Sequence, residues 1–386
     1  MKATINGWIT TDDTYSETWK RILEFANIEL AIEKIEQIHG KTSTSSMKHY
    51  KKQAEQIRGS LLQAKEYFEA AKSSSLYTKP NHLYYGAVSL SIACMLIRGD
   101  GEKSLDYLRR DKKNKHHGLD YSLSISPKTA KKGMELLSSC MVKICPYGHF
   151  ANWYKTLRPR QNVYADFRKK KGKHTSKILS AVGQYTLPEY EKLMNSNNSI
   201  EFRIKRLPDL VEALHRFGII TNTAKGRHLV DENLNVKQHQ HVFTFNDAPS
   251  HEILMRVVDR FVSKSGVAYC YDIEDGSTHG GVLTRISKGM QLGFPSHRET
   301  LDHQSIYYEE PITIPEVVDM YIISYALIML SRYYPDIWMS FIESHCKGAK
   351  VIEDVVDVTF KKLPILMLNQ MTGRDYIIST HRPYWL

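Results

Sequence analysis

Met47, Tyr50, Ala54, Ile57, Leu61, Ala64, Phe68 and Ala71 recur in alternating steps of three and four residues. Only a helix gathers such positions on one side, and a seam this long needs a partner helix along its length. The run Ser73–Ser75 and then Pro80 end it, and Asn81 is placed to cap a further helix running to about Ile97. That helix is apolar on nearly every side, so it belongs in a core. Ahead of the seam, Trp19, Ile22, Leu23, Ala26, Leu30 and Ile35 keep helical spacing until Gly40. The chain therefore starts as a helical bundle.

Gly99, Asp100 and Gly101 interrupt the pattern. Leu123–Ser126 alternates like a short strand, and Pro127–Ile144 returns to helical spacing. Asn195–Ser199 reads as a turn. Val242–Phe245, Val267–Tyr271 and Val282–Ile286 have strand character, whereas Ser250–Ser263 has a helical period. Pro315 then opens a strongly apolar helix that Pro335 stops, and a mixed tail follows from Val351 with Gly373 as a break. The expected fold is mainly α, a helical bundle with a mixed α+β middle insertion. The expected division is 1–150, 151–310 and 311–386.

Charge narrows the partners. The chain has 53 Lys+Arg against 42 Asp+Glu, a formal net charge of +11 over 386 residues. Polyanions are favoured by long-range attraction and counterion release. The five cysteines are scattered and odd in number, and Met1–Tyr15 has no apolar leader pattern, so a reducing, cytoplasmic setting is expected. Met320–Leu330 is too short to cross a bilayer, and no membrane association is expected.

No P-loop, no glycine-rich dinucleotide turn after a strand and no HExxH helix occurs. Cys140, Cys145 and His149 lack a clear fourth partner for zinc, and a helix ending at Pro146 with small core thiols is the simpler reading. Asp272, Glu274 and Asp275 read as an acidic turn, and His279-Gly280-Gly281 as a hairpin turn. No metal or cofactor site is expected. RNA cleavage without metal needs a His for proton transfer and a cation for developing phosphate charge. Arg110/His116, Arg168/His174, Arg298/His303 and Arg374/His381 have suitable spacings, though 17 His among 53 Lys+Arg produce such pairs by chance. Arg110 with His116 or His117 ranks first because it follows a buried helix, and Arg298 with His303 second. A solvated basic loop is the plain alternative for each.

Between Trp153 and Lys177 the cations Arg158, Arg160, Arg168, Lys169, Lys170, Lys171, Lys173 and Lys177 interleave with Trp153, Tyr154, Tyr164 and Phe167. Such a block is suited to neutralising phosphates and stacking on bases. A loop anchored by its aromatics competes with that reading. A small-molecule enzyme using Asp272, Glu274 or His279 is a further alternative.

The stretch QAKEYFEAAKSSSLYTKPNHLYYGAVSLSIACMLI with the later HHGLDYSLSI and MYIISYALIMLSRYYPDIW resembles the YaaC-like protein family. A second similarity, carried by the Tyr-Tyr helix start and the His-Gly element, is to HEPN domains. That resemblance implies a compact helical core, a metal-independent endoribonuclease built on Arg and His and often completed across a dimer, and a role in toxin or antiphage defence. It places Arg110 and His116 in the motif. Some proteins of that kind only bind. The functional expectation is an RNA-acting or RNA-binding protein, and the alternative is a non-catalytic subunit contacting nucleic acid or protein.

Overall fold

The structure, a computed structural model, describes residues 8–40, 44–99, 104–124, 133–157, 190–194, 196–204, 315–373 and 376–379, with single residues and backbone segments between 160 and 292. Strand β1 (Trp8–Thr10) leads into α1 (Thr14–Glu24) and α2 (Ile28–His39). The first apolar stretch is thus two helices. Asn27 divides them, because its side chain accepts from the Glu29 and Leu30 amides and starts a new helix.

The seam forms α3 (Thr44–Ser73), which buries Tyr50, Ala54, Ile57, Leu61, Ala64, Phe68 and Ala71. It packs along α4 (Lys79–Arg98), whose own residues are buried on most sides. Helix α4 begins earlier than Asn81 because Pro80 occupies its first turn, where a missing N–H costs nothing. Asn81 instead accepts the Ser331 hydroxyl at 2.8 Å, tying α4 to a helix late in the chain. At Gly86 a Cβ would lie 2.6 Å from the Phe68 ring, so the two helices approach closely there.

Next come α5 (Leu105–Arg110), a 3-10 turn at Lys112–Lys115, β2 (Leu119–Leu123), α6 (Met134–Ser139), β3 (Cys140–Ile144) and α7 (His149–Tyr154). The helix expected to reach Ile144 stops at Ser139. Residues 140–144 alternate in burial and pair antiparallel with β2, from Leu119↔Ile144 to Leu123↔Cys140. The strand expected at 123–126 accordingly lies earlier. Residues 125–132 are outside the described residues.

The middle contributes β4 (Arg160–Val163), β5 (Ala165–Lys170), β6 (Lys173–Ile178), β7 (Gln184–Tyr185), α8 (Tyr190–Leu193), β8 (Asn197–Ser199) and α9 (Ile200–Ile204). Farther on are β9 (Phe243–Phe245), β10 (Ala268–Cys270), β11 (Val282–Thr284) and β12 (Met290–Leu292), which fall at or within the strand stretches read from sequence apart from β12. Asn197–Ser199, read as a turn, adds to β3 and makes the sheet β2-β3-β8. Ser250–Ser263, Asp272, Glu274, Asp275 and His279 lie outside the described residues.

Helices α10 (Glu316–Tyr333), α11 (Pro335–Glu343) and α12 (Lys347–Thr372) close the bundle, and β13 (Ile377–Ser379) pairs with β1 and β12. Both α10 and α12 pack on α4, so one hydrophobic core runs from Trp19 to Met371. Two buried ion pairs fasten the start of α10: Arg203–Asp319 from α9 at 2.9 Å and Lys362–Glu316 from α12 at 2.7 Å. Among the described residues the fold is mainly helical, with a small three-stranded sheet beside the core. No helix in them is long and apolar enough to cross a membrane.

Candidate functional site

Two short glycine-bearing loops cross at the end of the β2–β3 ladder, His116-His117-Gly118 and Tyr147-Gly148-His149. Gly118 (φ +83°) and Gly148 (φ +107°) both use left-handed backbone that side chains resist. A Cβ at Gly148 would come within 2.6 Å of the Gly118 nitrogen. The close approach lets the His149 N–H donate to the His116 carbonyl at 2.8 Å and the Phe150 N–H to that of His117 at 2.9 Å. The Cys145 N–H donates to the Gly118 carbonyl at 3.0 Å. Three histidines are thereby fixed on one rigid crossing.

His117 leans on α4 and α10. Its Nδ1 lies 2.9 Å from the buried Tyr84 hydroxyl, and its ring meets those of Tyr84 and Tyr325 at centroid distances of 5.7 and 5.9 Å. Tyr325 is itself held by donating to the Leu119 carbonyl at 2.7 Å. Burial keeps the Tyr84 phenol protonated well above its usual range. Burial of the imidazole, then the nearby His116 and Arg332, lower the His117 pKa below the usual histidine value. No hydrogen bond or ion pair among the described residues engages its Nε2, and the residue is exposed.

His149 turns inward. Its Nε2 lies 2.6 Å from the Ser91 hydroxyl, which also reaches the Val88 carbonyl at 2.7 Å. With the Ser91 proton on that carbonyl, His149 is the donor, a neutral imidazole. Burial, with a smaller effect from His117, pushes its pKa down to about 4. The Tyr321 ring stacks on it at 6.4 Å. The Tyr321 hydroxyl feels Tyr84 and Ser91 but meets neither in full hydrogen-bonding geometry.

His116 faces outward. The Gly118 N–H donates to its Nδ1 at 3.0 Å, and its Nε2 lies 3.6 Å from Asp120 Oδ1. The exposed Tyr147 ring sits edge-on at 5.7 Å, with the Lys113 ammonium 6.0 Å from the same ring. Cys140, Cys145 and His149, neighbours in sequence, divide: Cys140 receives the Tyr121 hydroxyl at 3.2 Å and His149 binds Ser91, while Cys145 joins His116 and Asp120.

Arg110 ends α5 in solvent and makes no hydrogen bond or ion pair with His116 or His117 among the described residues. Its charge makes a small contribution to lowering the Asp106 pKa. The arginine whose charge reaches His117 is Arg332, on the last turn of α10. It donates to the Tyr85 hydroxyl at 2.9 Å and lies 5.6 Å from the Tyr333 ring centre. Reasoning from His spacing missed it. Its one signal was position, at the head of the RYYPDIW stretch directly after an apolar helix.

The basic block is a hairpin in part. Arg160 lies on β4, Arg168, Lys169 and Lys170 on β5, and Lys173 and Lys177 on β6, with register Lys169↔His174 and Lys170↔Lys173. Arg158 and Lys171 lie outside the described residues, as do Tyr164, Arg298, His303, Arg374 and His381. Trp153 and Tyr154 are corrected: both are buried, with Trp153 against Tyr321 at 4.7 Å and Tyr154 against Tyr190 at 5.5 Å. They anchor the segment to the core and are closed to bases. Among the described residues Tyr77, Tyr147 and Tyr333 are exposed aromatics, Tyr147 and Tyr333 at 43% and 59%; Tyr147 lies against His116 and Tyr333 against Arg332.

The chain belongs to the YaaC-like protein family, whose model matches residues 24–371 and so contains the whole histidine crossing. No curated protein and no solved structure matches it.

Proposed function

We propose that this YaaC-like protein binds RNA across the face formed by Lys113, His117, Tyr147, Arg332 and Tyr333, and cleaves it there without magnesium. The observation that carries the reading is His117 itself: an exposed imidazole anchored through Nδ1 to a buried tyrosine, with Nε2 unengaged and an arginine near enough to shift its titration. A neutral imidazole near physiological pH is matched to accepting the 2′-hydroxyl proton. The resulting alkoxide attacks the adjacent phosphorus, the P–O5′ bond breaks, and the leaving oxygen takes a proton from solvent. Arg332 is the cation available to the charge that builds on the phosphoryl oxygens. Tyr147 and Tyr333 offer ring faces for unpaired bases, and the net positive charge of the chain supplies long-range attraction.

On this reading the helical core is HEPN-like, the protein works in the cytoplasm as a homodimer or with a partner subunit, and the activity suits a toxin or antiphage effector. The β5–β6 hairpin, with Arg160 on β4 just before it in sequence, is a second cationic contact for the strand. Arg332 takes the role that spacing gave to Arg110.

Purified full-length protein is incubated with labelled single-stranded RNA in magnesium-free buffer. Wild type yields fragments ending in 2′,3′-cyclic phosphate. His117→Ala slows cleavage by about a hundredfold or more, the usual scale for a lost acid–base group. Arg332→Ala also slows it, and Arg110→Ala changes it little. Salt-sensitive binding without fragments replaces cleavage with the reading of a non-catalytic binding subunit. Absence of binding at low salt overturns both.

A further inference from the structure

We infer that His116, Asp120 and Cys145 bind a divalent cation of the zinc class, with a coordination position left open to solvent. One ring nitrogen of His116, one carboxylate oxygen of Asp120 and the Cys145 sulfur lie within 4.8 Å of one another. An imidazole, a carboxylate and a thiolate form a mixed donor set that suits zinc or cobalt and is too soft for magnesium or calcium. Three protein ligands with an open fourth place are the arrangement of zinc sites that take water or substrate.

Backbone hydrogen bonds hold the framework of these groups. Asp120 lies on β2, opposite Lys143 of β3, and the Cys145 amide extends that ladder by donating to the Gly118 carbonyl. His116 is fixed at its carbonyl by the His149 N–H. The side chains are graded in exposure: 41% for His116 and 59% for Asp120, against 5% for the Cys145 residue. The sulfur is the floor, and the open position faces outward.

Binding balances as an exchange. The cation takes the place of the Cys145 thiol proton, which leaves to buffer, and Asp120 supplies a second negative charge. At the imidazole, a cation on Nδ1 displaces the Gly118 N–H from that lone pair. A Cys-His-Asp nucleophile fits less well. The thiol is buried, whereas a working nucleophile lies where its substrate can reach it.

The site shares no residue with the His117–Arg332 pair and is measured without RNA, so its failure and the failure of the RNA reading are separable. Metal-stripped full-length protein is titrated with Co2+ and then with Zn2+. A single Co2+ per chain with a thiolate-to-cobalt charge-transfer band, displaced by Zn2+, is expected. Cys145→Ser abolishes the band, and Cys346→Ser keeps it. Asp120→Asn and His116→Gln, both at exposed positions, weaken binding by more than about tenfold. A folded wild type without the band, or a band that survives Cys145→Ser, overturns the site. Should Cys145→Ser fail to fold, unchanged affinity in both Asp120→Asn and His116→Gln overturns it equally.

Discussion

His149 shows how much a single side chain at the crossing is asked to do. Its ring is closed in by Ser91 and Tyr321, with His117 the titratable neighbour, and it is held neutral with a pKa of about 4 against an ordinary 6.5. Between those values the unfolded chain binds a proton that the folded chain refuses. Stability therefore rises with pH there and is lost as pH falls from about 6.5 toward about 4. A shift of that size corresponds to at most about 3 kcal/mol. His149→Gln keeps an N–H for Ser91 and cannot titrate. Denaturant unfolding across this range is expected to give a shallower acid loss for the variant, and parallel curves would contradict the burial. The residue scale was also the least legible in sequence. Arg110 and His116 looked paired because they are close in the chain. The arginine that reaches His117 comes from α10, where only tertiary packing of α10 on α4 brings it near.

At the scale of elements, the packing of α3 along a partner helix was readable and the sheet was not. A long seam has one helical solution, so Tyr50 to Ala71 had to be buried together. Cys140–Ile144 gave five residues of weak pattern after a true helical turn, too few to distinguish the periods, and tertiary pairing with β2 decided the outcome. Glycines on α3 and α4 test the helix pairing with opposite signs. Replacing a helical glycine by alanine gains about 1 kcal/mol from propensity alone. At Gly59 nothing lies within 4 Å of an added Cβ, so Gly59→Ala is expected to raise the denaturant midpoint. At Gly86 the buried Phe68 ring stands 2.6 Å away, and overpacking of about 1–3 kcal/mol exceeds the gain. Gly86→Ala is expected to lower the midpoint, and a rise in both variants would contradict the close approach.

For the whole molecule, a positive formal charge of +11 attracts polyanions without saying where they dock. Composition put the weight on the block from Trp153 to Lys177, since cations and aromatics alternate there. The fold withdraws two of those aromatics. It takes Trp153 and Tyr154 into the core and leaves the accessible rings Tyr147 and Tyr333 beside His117 and Arg332. On the proposed reading bases stack on the histidine face, while the hairpin contributes charge. Ultraviolet crosslinking of bound single-stranded RNA, read by mass spectrometry of the digested protein, locates the stacking directly. Nucleotide adducts at Tyr147 and Tyr333, lost in high salt, are the predicted result. Adducts confined to the 160–177 segment, with none on the histidine face, would contradict the assignment of that face to RNA.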